Sequence, residues 1–180
     1  MGPVLRRSAL VLEVPEAEAA VGCHRDVLDA SARLGVPAHV TVLFPFVPPA
    51  QIDPVVVAEL QRILAGTAAF DFRLTRTAWF GDEVLWLAPE DPLPFRILNE
   101  LVHTAFPAFP PYEGQFDDVM PHLTVADGCD LADMQAAERA LEQHLPLRGR
   151  ARKVTLMVQT DDSGTWTRHT TFPLAEPGRS

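Results

Sequence analysis

The sequence contains the tetrapeptide HVTV at residues 39–42 and the closely similar HLTV at residues 122–125. Each tetrapeptide lies in a short apolar run bounded by turn-forming residues, a pattern that predicts a buried β-strand. Side chains alternate between the faces of a strand, so His and Thr two residues apart share one face and their apolar neighbours share the other. The chain therefore carries two copies of an imidazole beside a hydroxyl, each on a stiff element.

The His-x-Thr pattern by itself is weak evidence. Chance would produce about 0.4 such tripeptides in a chain with this His and Thr content, and three occur. The third begins at His169, in an alternating stretch over residues 165–172 that predicts a final strand with His169 on the surface. Only the first two tripeptides have matching surroundings.

Those surroundings form an internal repeat. After the first motif, Asp53 and Pro54 predict the start of a helix that ends near Gly66; after the second, Asp130 predicts the start of one that ends by Pro146. Strands over 9–14, 70–77, 84–88 and 152–160 and helices over 16–34 and 94–106 complete two units of strand, helix, His-x-Thr strand, helix, strand. Two units predict two similar lobes, since a solenoid needs at least three, and we expect one domain over residues 1–180.

Composition limits the functional classes. The hydrophobic fraction of 47% and charged fraction of 22% are ordinary for a soluble globular protein, and no stretch is long and apolar enough to predict a membrane span. The formal charge of −9 argues against binding long nucleic acid, because that affinity depends on Lys and Arg at the phosphates. The two cysteines lack metal-binding spacing and are too few for a secreted disulfide scaffold, which favours a reducing cytoplasm.

The paired motifs and the duplicated layout, over about residues 8–174, resemble the two-histidine (2H) phosphoesterase superfamily, which includes bacterial 2′-5′ RNA ligase-like proteins and RNA cyclic phosphodiesterases. The resemblance implies an α+β fold of two pseudo-symmetric lobes. Each lobe would be an antiparallel sheet with helices packed outside, and the sheets would face each other across a central cleft. It also implies that His39, Thr41, His122 and Thr124 converge on one phosphate, with no metal and no cofactor.

The chain departs from the RNA ligase-like branch in its charges. The second motif of that branch is usually followed by a residue pair ending in arginine, and Asp127 stands in that place here. The residue after the first motif, often basic in that branch, is Leu43. Two cations that would help to hold RNA phosphates are therefore missing, which makes an RNA end less secure as the substrate.

The residue types suit acid–base chemistry at phosphorus. Histidine titrates near neutrality, so one imidazole can serve as base and the other as acid, while the threonine hydroxyls donate to the non-bridging oxygens. We expect a metal-independent phosphodiesterase that opens a 2′,3′-cyclic phosphate or a related cyclic nucleotide phosphodiester, with a rate maximum near neutral pH and a possible reverse 2′-5′ RNA ligase reaction. Its partner would be a small nucleotide or an RNA end, with no membrane, and the protein would be a monomer.

Two other functions are open to the same sequence. The first is a nucleotide- or RNA-end-binding module of this fold that performs no significant turnover. The intact His and Thr quartet favours the enzyme over this module, and the missing arginine favours some drift in substrate. The second is a metallohydrolase, which is poorly supported because neither motif histidine has a carboxylate at ligand spacing.

Several further residues are candidates for the cleft. Tyr112 and Phe46 are candidate substrate-binding residues, and for both the alternative is packing against the core; Phe44 has the same two interpretations. The basic cluster Arg148, Arg150, Arg152 and Lys153 is interpreted as a solvated strand edge rather than a cleft wall. Structural roles are predicted for Trp79, Trp86 and Trp166 on sheet faces and for His24, His103 and His144 on helices.

Overall fold

The computed structural model describes residues 6–115, 118–160 and 162–176. The strands in these ranges are β1 Ser8–Glu13, β2 His39–Leu43, β3 Phe70–Phe80, β4 Val84–Pro89, β5 Leu123–Asp127, β6 Leu147–Ala151, β7 Lys153–Gln159 and β8 Trp166–Pro173. The α-helices are α1 Glu18–Leu28, α2 Ala30–Arg33, α3 Pro54–Ala65, α4 Leu93–Ala105 and α5 Leu131–Glu142. Each predicted strand is present, whereas β6 had no counterpart among the predicted elements.

Two helix starts confirm the predicted capping. The Asp53 side chain accepts a hydrogen bond from the Val56 amide at 2.9 Å, and the Asp130 side chain accepts one from the Ala132 amide at 2.9 Å. These carboxylates satisfy amides that have no partner within the first turn of the helix.

The single helix predicted over residues 16–34 is wrong, because the chain breaks it at Asp29. Asp29 has an extended backbone (φ −128°, ψ 109°), and its carboxylate accepts the Ser31 amide at the start of α2. The same carboxylate forms a buried ion pair with Arg25, with an N–O distance of 2.9 Å. Capping a new helix and pairing a buried arginine outweigh continuing the old helix at this residue.

The eight strands form two antiparallel four-stranded sheets. The first sheet has the order β2-β1-β7-β8 and the second has the order β5-β4-β3-β6. Each order places a His-x-Thr strand at one edge, beside the strand that opens the same repeat unit. The protein is therefore an α+β fold with two sheets related by the internal repeat.

The repeat units exchange strands between the sheets. β3, which ends the first unit, pairs with β4 and β6 of the second sheet. β7, which ends the second unit, pairs with β1 and β8 of the first sheet. Each sheet therefore contains strands from both units, so neither half of the chain can complete its sheet without the other.

The exchange also couples the cores. The main hydrophobic cluster includes residues from both sheets, among them Leu10 of β1, Leu85 of β4 and Leu156 of β7. The alternate residues of β1, Ala9 and Val11, belong to a separate small cluster on the opposite face of the first sheet. The first sheet thus has one face toward the shared core, and its other face carries the smaller cluster. None of the helices in the described residues is long and apolar enough to cross a membrane.

Candidate active site

The two His-x-Thr motifs lie on neighbouring edge strands. β2 is an edge of the first sheet and β5 an edge of the second, and the two strands contact each other where the sheets meet. His39 is the first residue of β2, and His122 directly precedes β5. In both motifs the His and Thr side chains are partly exposed while the residue between them is buried, which confirms the predicted alternation.

The two imidazoles are held in the same way. The Nδ1 atom of His39 lies 2.8 Å from the Pro37 carbonyl oxygen, and the Nδ1 atom of His122 lies 2.7 Å from the Met120 carbonyl oxygen. A carbonyl oxygen only accepts, so both Nδ1 atoms carry a proton and donate it. In the neutral state each ring is then left with an unprotonated Nε2, the atom that can take a proton from water or, once charged, give one back.

Burial lowers the pKa of both histidines. Desolvation is the largest cause at His39 and lowers its pKa to about 4, against the opposing hydrogen bond to Pro37. The charge of His122 is among the smaller causes that lower the pKa of His39, so the two rings interact electrostatically. Desolvation also lowers the pKa of His122, opposed by its hydrogen bond to Met120. Both shifts favour the neutral imidazole before a ligand binds.

The His122 ring lies against two aromatic side chains. Phe80 meets it edge to face with centroids 5.0 Å apart, and Trp86 lies 5.8 Å away at an interplanar angle of 65°. Phe80 and Trp86 are themselves stacked at 4.7 Å. Trp86 is nearly buried, whereas 39% of Phe80 is exposed, so Phe80 presents apolar surface beside a motif histidine.

His39 instead has a buried ion pair behind it. Arg25 is 2% exposed and Asp29 is 4% exposed, and the guanidinium also donates to the Val36 carbonyl at 3.2 Å. The two charges act on the pKa of His39 in opposite directions, Arg25 lowering it and Asp29 raising it. The pair therefore orders the segment that leads into β2 without imposing one sign of charge on the ring.

Tyr112, a candidate substrate-binding residue, contacts the first motif. The hydroxyl groups of Tyr112 and Thr41 hydrogen-bond to each other, and the Tyr112 amide donates to the Phe44 carbonyl at 2.6 Å. Tyr112 and Glu113 both have left-handed backbone conformations, with φ of 49° and 57°. Residues other than glycine adopt this left-handed backbone conformation at an energetic cost. Here it occurs at a tyrosine that contacts Thr41.

A β-bulge follows the motif on β2. The partner of Thr41 on β1 is Val11, and the partner of Leu43 is the adjacent β1 residue, so one residue of β2 is unpaired. An unpaired residue reverses the alternation of side chains. Phe44 therefore lies on the face of Thr41, where it packs with Trp166 at a centroid distance of 6.2 Å.

An equivalent bulge follows the second motif. On β5, Thr124 is opposite Trp86 and Asp127 is opposite Val84. Trp86 and Val84 are two residues apart on β4 and share a face, so Asp127 lies on the same face as Thr124. Phe44 and Asp127 each come five residues after a motif histidine, and each is carried to the face of its motif by a bulge.

The sequence model of the 2′-5′ RNA ligase superfamily matches residues 13–163, a span that includes both motifs. The chain belongs to the 2′-5′ RNA ligase superfamily. This confirms the resemblance inferred from the paired motifs. Among curated proteins, none matches the chain significantly.

Solved structures share the fold of this superfamily member. Escherichia coli LigT in its apo form is 16% identical, with a TM-score of 0.64, over 94% of this chain and 98% of that chain. TT0787 of Thermus thermophilus is 18% identical, with a TM-score of 0.63, over 96% of this chain and 100% of that chain. LigT complexed with 3′-AMP is 14% identical, with a TM-score of 0.57, over 96% and 99%. At these identities the likeness establishes the fold.

Two groups of candidate residues lie away from the motifs of this superfamily member. Phe46 is 3% exposed and packs against Phe106 at 5.1 Å and Phe109 at 6.0 Å, so its assignment to substrate binding is wrong. The basic cluster includes the edge strand β6, where Arg150 pairs with Asp71. β6 pairs with the opposite end of β3 from Phe80, so Arg148 and Arg150 lie on a strand edge, as predicted, whereas Lys153 begins β7, an internal strand of the first sheet. His169 is exposed on β8.

Sequence reasoning missed the aromatic pair Phe80 and Trp86 as neighbours of His122. The prediction that Trp86 lies on a sheet face is correct, but the face is the one that carries the motif. The signal that identifies it is the pairing of Trp86 with Thr124, which depends on register and cannot be obtained from either segment alone. Within the described residues no group of three His, Cys, Asp or Glu side chains is arranged to hold a metal ion.

Proposed function

We propose that the protein is a metal-independent phosphodiesterase that opens 2′,3′-cyclic phosphates or related cyclic nucleotide phosphodiesters. The observation that carries the proposal is the matched pair of imidazoles: His39 and His122 each donate Nδ1–H to a carbonyl two residues earlier, on strands that contact each other. This arrangement leaves two Nε2 atoms for one reaction centre. Each motif threonine lies on the same strand face as its histidine, and we assign phosphate binding to these two residues, Thr41 and Thr124.

In the proposed reaction, one neutral imidazole takes a proton from water at Nε2 as the water oxygen bonds to phosphorus. The bond from phosphorus to one ribose oxygen breaks, and the other imidazole, protonated at Nε2, donates its proton to that oxygen. The two threonine hydroxyls donate to the non-bridging oxygens as charge develops there. If a ribose 5′-hydroxyl attacks in place of water, the same two proton transfers give a 2′-5′ linkage, which is the proposed ligase reaction.

The lowered pKa values of the two histidines shift the expected pH maximum of kcat/KM to lower pH. Catalysis needs one protonated and one neutral histidine, and kcat/KM follows the pKa values of the free enzyme. Since the pKa of His39 is about 4 and that of His122 is below its ordinary value of 6.5, kcat/KM should be maximal below pH 6.5. The maximum near neutral pH inferred from ordinary histidines is accordingly replaced by an acidic one for kcat/KM. A bound phosphate anion raises the pKa of adjacent imidazoles, so the kcat maximum should lie at higher pH.

Small nucleotides are the proposed substrate class. Escherichia coli LigT, which shares the fold, has been solved in complexes with 3′-AMP, ATP and NADP⁺. The cleft of this chain combines a partly exposed Phe80 beside His122 with a tyrosine hydroxyl at Thr41, surfaces suited to a base or ribose next to the reacting phosphate.

A substrate panel tests the proposal. It should contain the four 2′,3′-cyclic mononucleotides, short oligonucleotides ending in a cyclic phosphate, and ADP-ribose cyclic phosphate, each assayed between pH 4.5 and 8 with and without EDTA. We expect hydrolysis of at least one substrate at an unchanged rate in EDTA. Loss of hydrolysis on chelation would refute the metal-free assignment, because a metal would then supply the activated water.

A nucleotide- or RNA-end-binding module is the second candidate, and Asp127 is the observation that favours it. A carboxylate on the face of Thr124 repels a phosphate rather than holding it. Tight binding of the panel compounds without hydrolysis at any pH would establish this function in place of the enzyme.

Two expectations about the protein's surroundings accompany the proposal. Cys23 and Cys129 are free thiols, which agrees with the proposed reducing cytoplasm. The proposed monomer is tested by light scattering, where a mass near twice 19.8 kDa would contradict it.

A further inference from the structure

The two ends of the motif face carry opposite charges. The pair Leu10–Leu43 in the first sheet corresponds to the pair Leu85–Ala126 in the second, because each directly follows the bulge. Counting three residues back from Leu10 and Leu85 reaches Arg7 in the first unit and Asp82, in the turn before β4, in the second. Phe44 and Asp127 are equivalent in the same way. We call Arg7 with Phe44 the basic end, and Asp82, Glu83 and Asp127 the acidic end.

Arg7 is held firmly at the basic end. Its amide donates to the Gln159 side-chain oxygen at 3.0 Å, and its carbonyl accepts from the Gln159 amide at 2.9 Å. The second bond, between backbone atoms, continues the β1–β7 pairing to Arg7. The alternation of β1 then places Arg7 on the face of Ala9 and Val11, opposite the buried Ser8. The backbone of Arg7 is therefore positioned before any ligand arrives.

The Arg7 guanidinium lies over the Phe44 ring, with its central carbon 5.4 Å from the ring centroid. Phe44 in turn meets Tyr112 edge to face at 6.4 Å, and the Tyr112 hydroxyl bonds to Thr41. A continuous set of contacts thus joins the guanidinium to a motif threonine. The aromatic ring orients the guanidinium and leaves its N–H groups free to donate to an anion.

The charge of Arg7 is not neutralised by a neighbour among the residues that the structure describes. Arg7 forms no ion pair with any carboxylate in residues 6–115, 118–160 and 162–176. Arg168, another cation of the first sheet, already bonds to both Glu13 oxygens, at 2.9 and 2.8 Å. In a chain of formal charge −9, an unpaired arginine on the motif face marks a site for an anion.

The acidic end has the opposite property. Burial raises the pKa of Asp127, and the carboxylates of Asp29 and Glu83 raise it further, so like charges are crowded there. A phosphate at this end would add a further negative charge. A hydroxyl or amino group of the substrate could instead donate to these carboxylates.

We propose that Arg7 binds a second phosphate of the substrate. The substrate would then bind in a single orientation, with the second phosphate at the basic end and its uncharged part at the acidic end. The inference rests on the proposed function. Arg7 lies four residues before Val11, the β1 partner of Thr41, which is about 13 Å along the strand at about 3.3 Å per residue. An arginine side chain spans much of that distance. The terminal nucleotide of an RNA carries its cyclic phosphate and its 5′-phosphate on one ribose, which matches the spacing.

The test compares adenosine 2′,3′-cyclic phosphate with the same compound bearing a 5′-phosphate, at constant ionic strength, in the wild type and in Arg7→Gln, Arg7→Lys and Arg6→Gln. Arg6 is the matched control, because it is the adjacent exposed arginine and lies 3.6 Å from Asp162. We expect the wild type to prefer the 5′-phosphorylated compound about tenfold in kcat/KM, as one hydrogen bond to a charged group provides. Arg7→Gln should lose that preference, Arg7→Lys should keep part of it, and Arg6→Gln should keep all of it.

Three results would overturn the proposal: no preference in the wild type, equal losses on both compounds in Arg7→Gln, or the same loss in Arg6→Gln. If neither compound is hydrolysed, the proposed function fails. The second-phosphate site is then tested by calorimetry, which measures the affinities for 3′-AMP and adenosine 3′,5′-bisphosphate. A bisphosphate preference that Arg7→Gln abolishes supports the second-phosphate site without turnover, and equal affinities in the wild type refute it.

Discussion

The surroundings of His39 and His122 differ far more than the two motifs do. Both rings donate Nδ1–H to a carbonyl two residues earlier, and both motifs are followed by a bulge. Around that shared frame, His39 has a buried Arg25–Asp29 ion pair and a tyrosine bonded to its threonine, whereas His122 has two aromatic rings. The backbone frame that holds the two histidines is therefore repeated, whereas the side chains around it are not, and the proposed function requires those side chains to meet different parts of a substrate.

The largest expected effect tests whether the two histidines are equivalent in function. His39→Asn and His122→Asn keep a side-chain N–H near the carbonyl but remove Nε2. Each should lower kcat by about 10³-fold or more, since general acid and base contributions have this size. The double variant should be little worse than either single variant, because groups that act as a unit are not additive.

His169→Asn is the matched control, since His169 begins the third His-x-Thr tripeptide but is exposed on β8. Its kinetics should equal those of the wild type. Turnover near the wild-type rate in either motif variant would show that the imidazoles are not the acid and base.

Substitution of either motif threonine should lower kcat less than substitution of a motif histidine, and only Thr41 should be coupled to Tyr112. Thr41→Val and Thr124→Val should each lower kcat by about 10²–10³-fold, as loss of one donor to a developing oxyanion does. Tyr112 bonds to Thr41, so Tyr112→Phe should lower the rate in the wild type and in Thr124→Val but not in Thr41→Val. A double-mutant cycle measures this coupling. Equal effects of Tyr112→Phe in both threonine backgrounds would mean that the tyrosine acts independently of Thr41.

The smallest expected effect concerns stability against pH. The pKa of His39 falls from 6.5 unfolded to about 4 folded, so the unfolded chain binds more protons between these values. The free energy of unfolding should therefore decrease as the pH falls through this window, by about 2 kcal/mol at pH 4.5 relative to pH 7.

Urea unfolding of the wild type and His39→Asn at both pH values isolates this contribution, because the carboxylates are common to both proteins. The wild type should lose about 2 kcal/mol more than the variant on acidification. Equal losses in the two proteins would show that His39 titrates normally in the folded state.

Local sequence was sufficient to predict most of the strands and helices. Period-two alternation predicted β2 and β5, and aspartates before apolar runs predicted the starts of α3 and α5, because capping and alternation depend on residues within a few positions. The same locality explains the error over residues 16–34. The helical pattern continues through that segment, and only the burial of Arg25 against Asp29 shows why the helix breaks.

The sequence by itself determined that two His-x-Thr motifs lie in a duplicated order of strands and helices, because motif spacing and side-chain period are written along the chain. The α+β fold was implied by the family resemblance that those motifs carry. Tertiary structure alone decided which strands share a sheet, since β3 and β7 pair with the opposite repeat unit. It also decided that Phe46 enters the core while Phe44, Asp127 and Arg7 lie on the motif face. For Phe44 and Asp127 the physical reason is a bulge, which reverses the side chains after it and is defined by the pairing of two strands rather than by either strand alone.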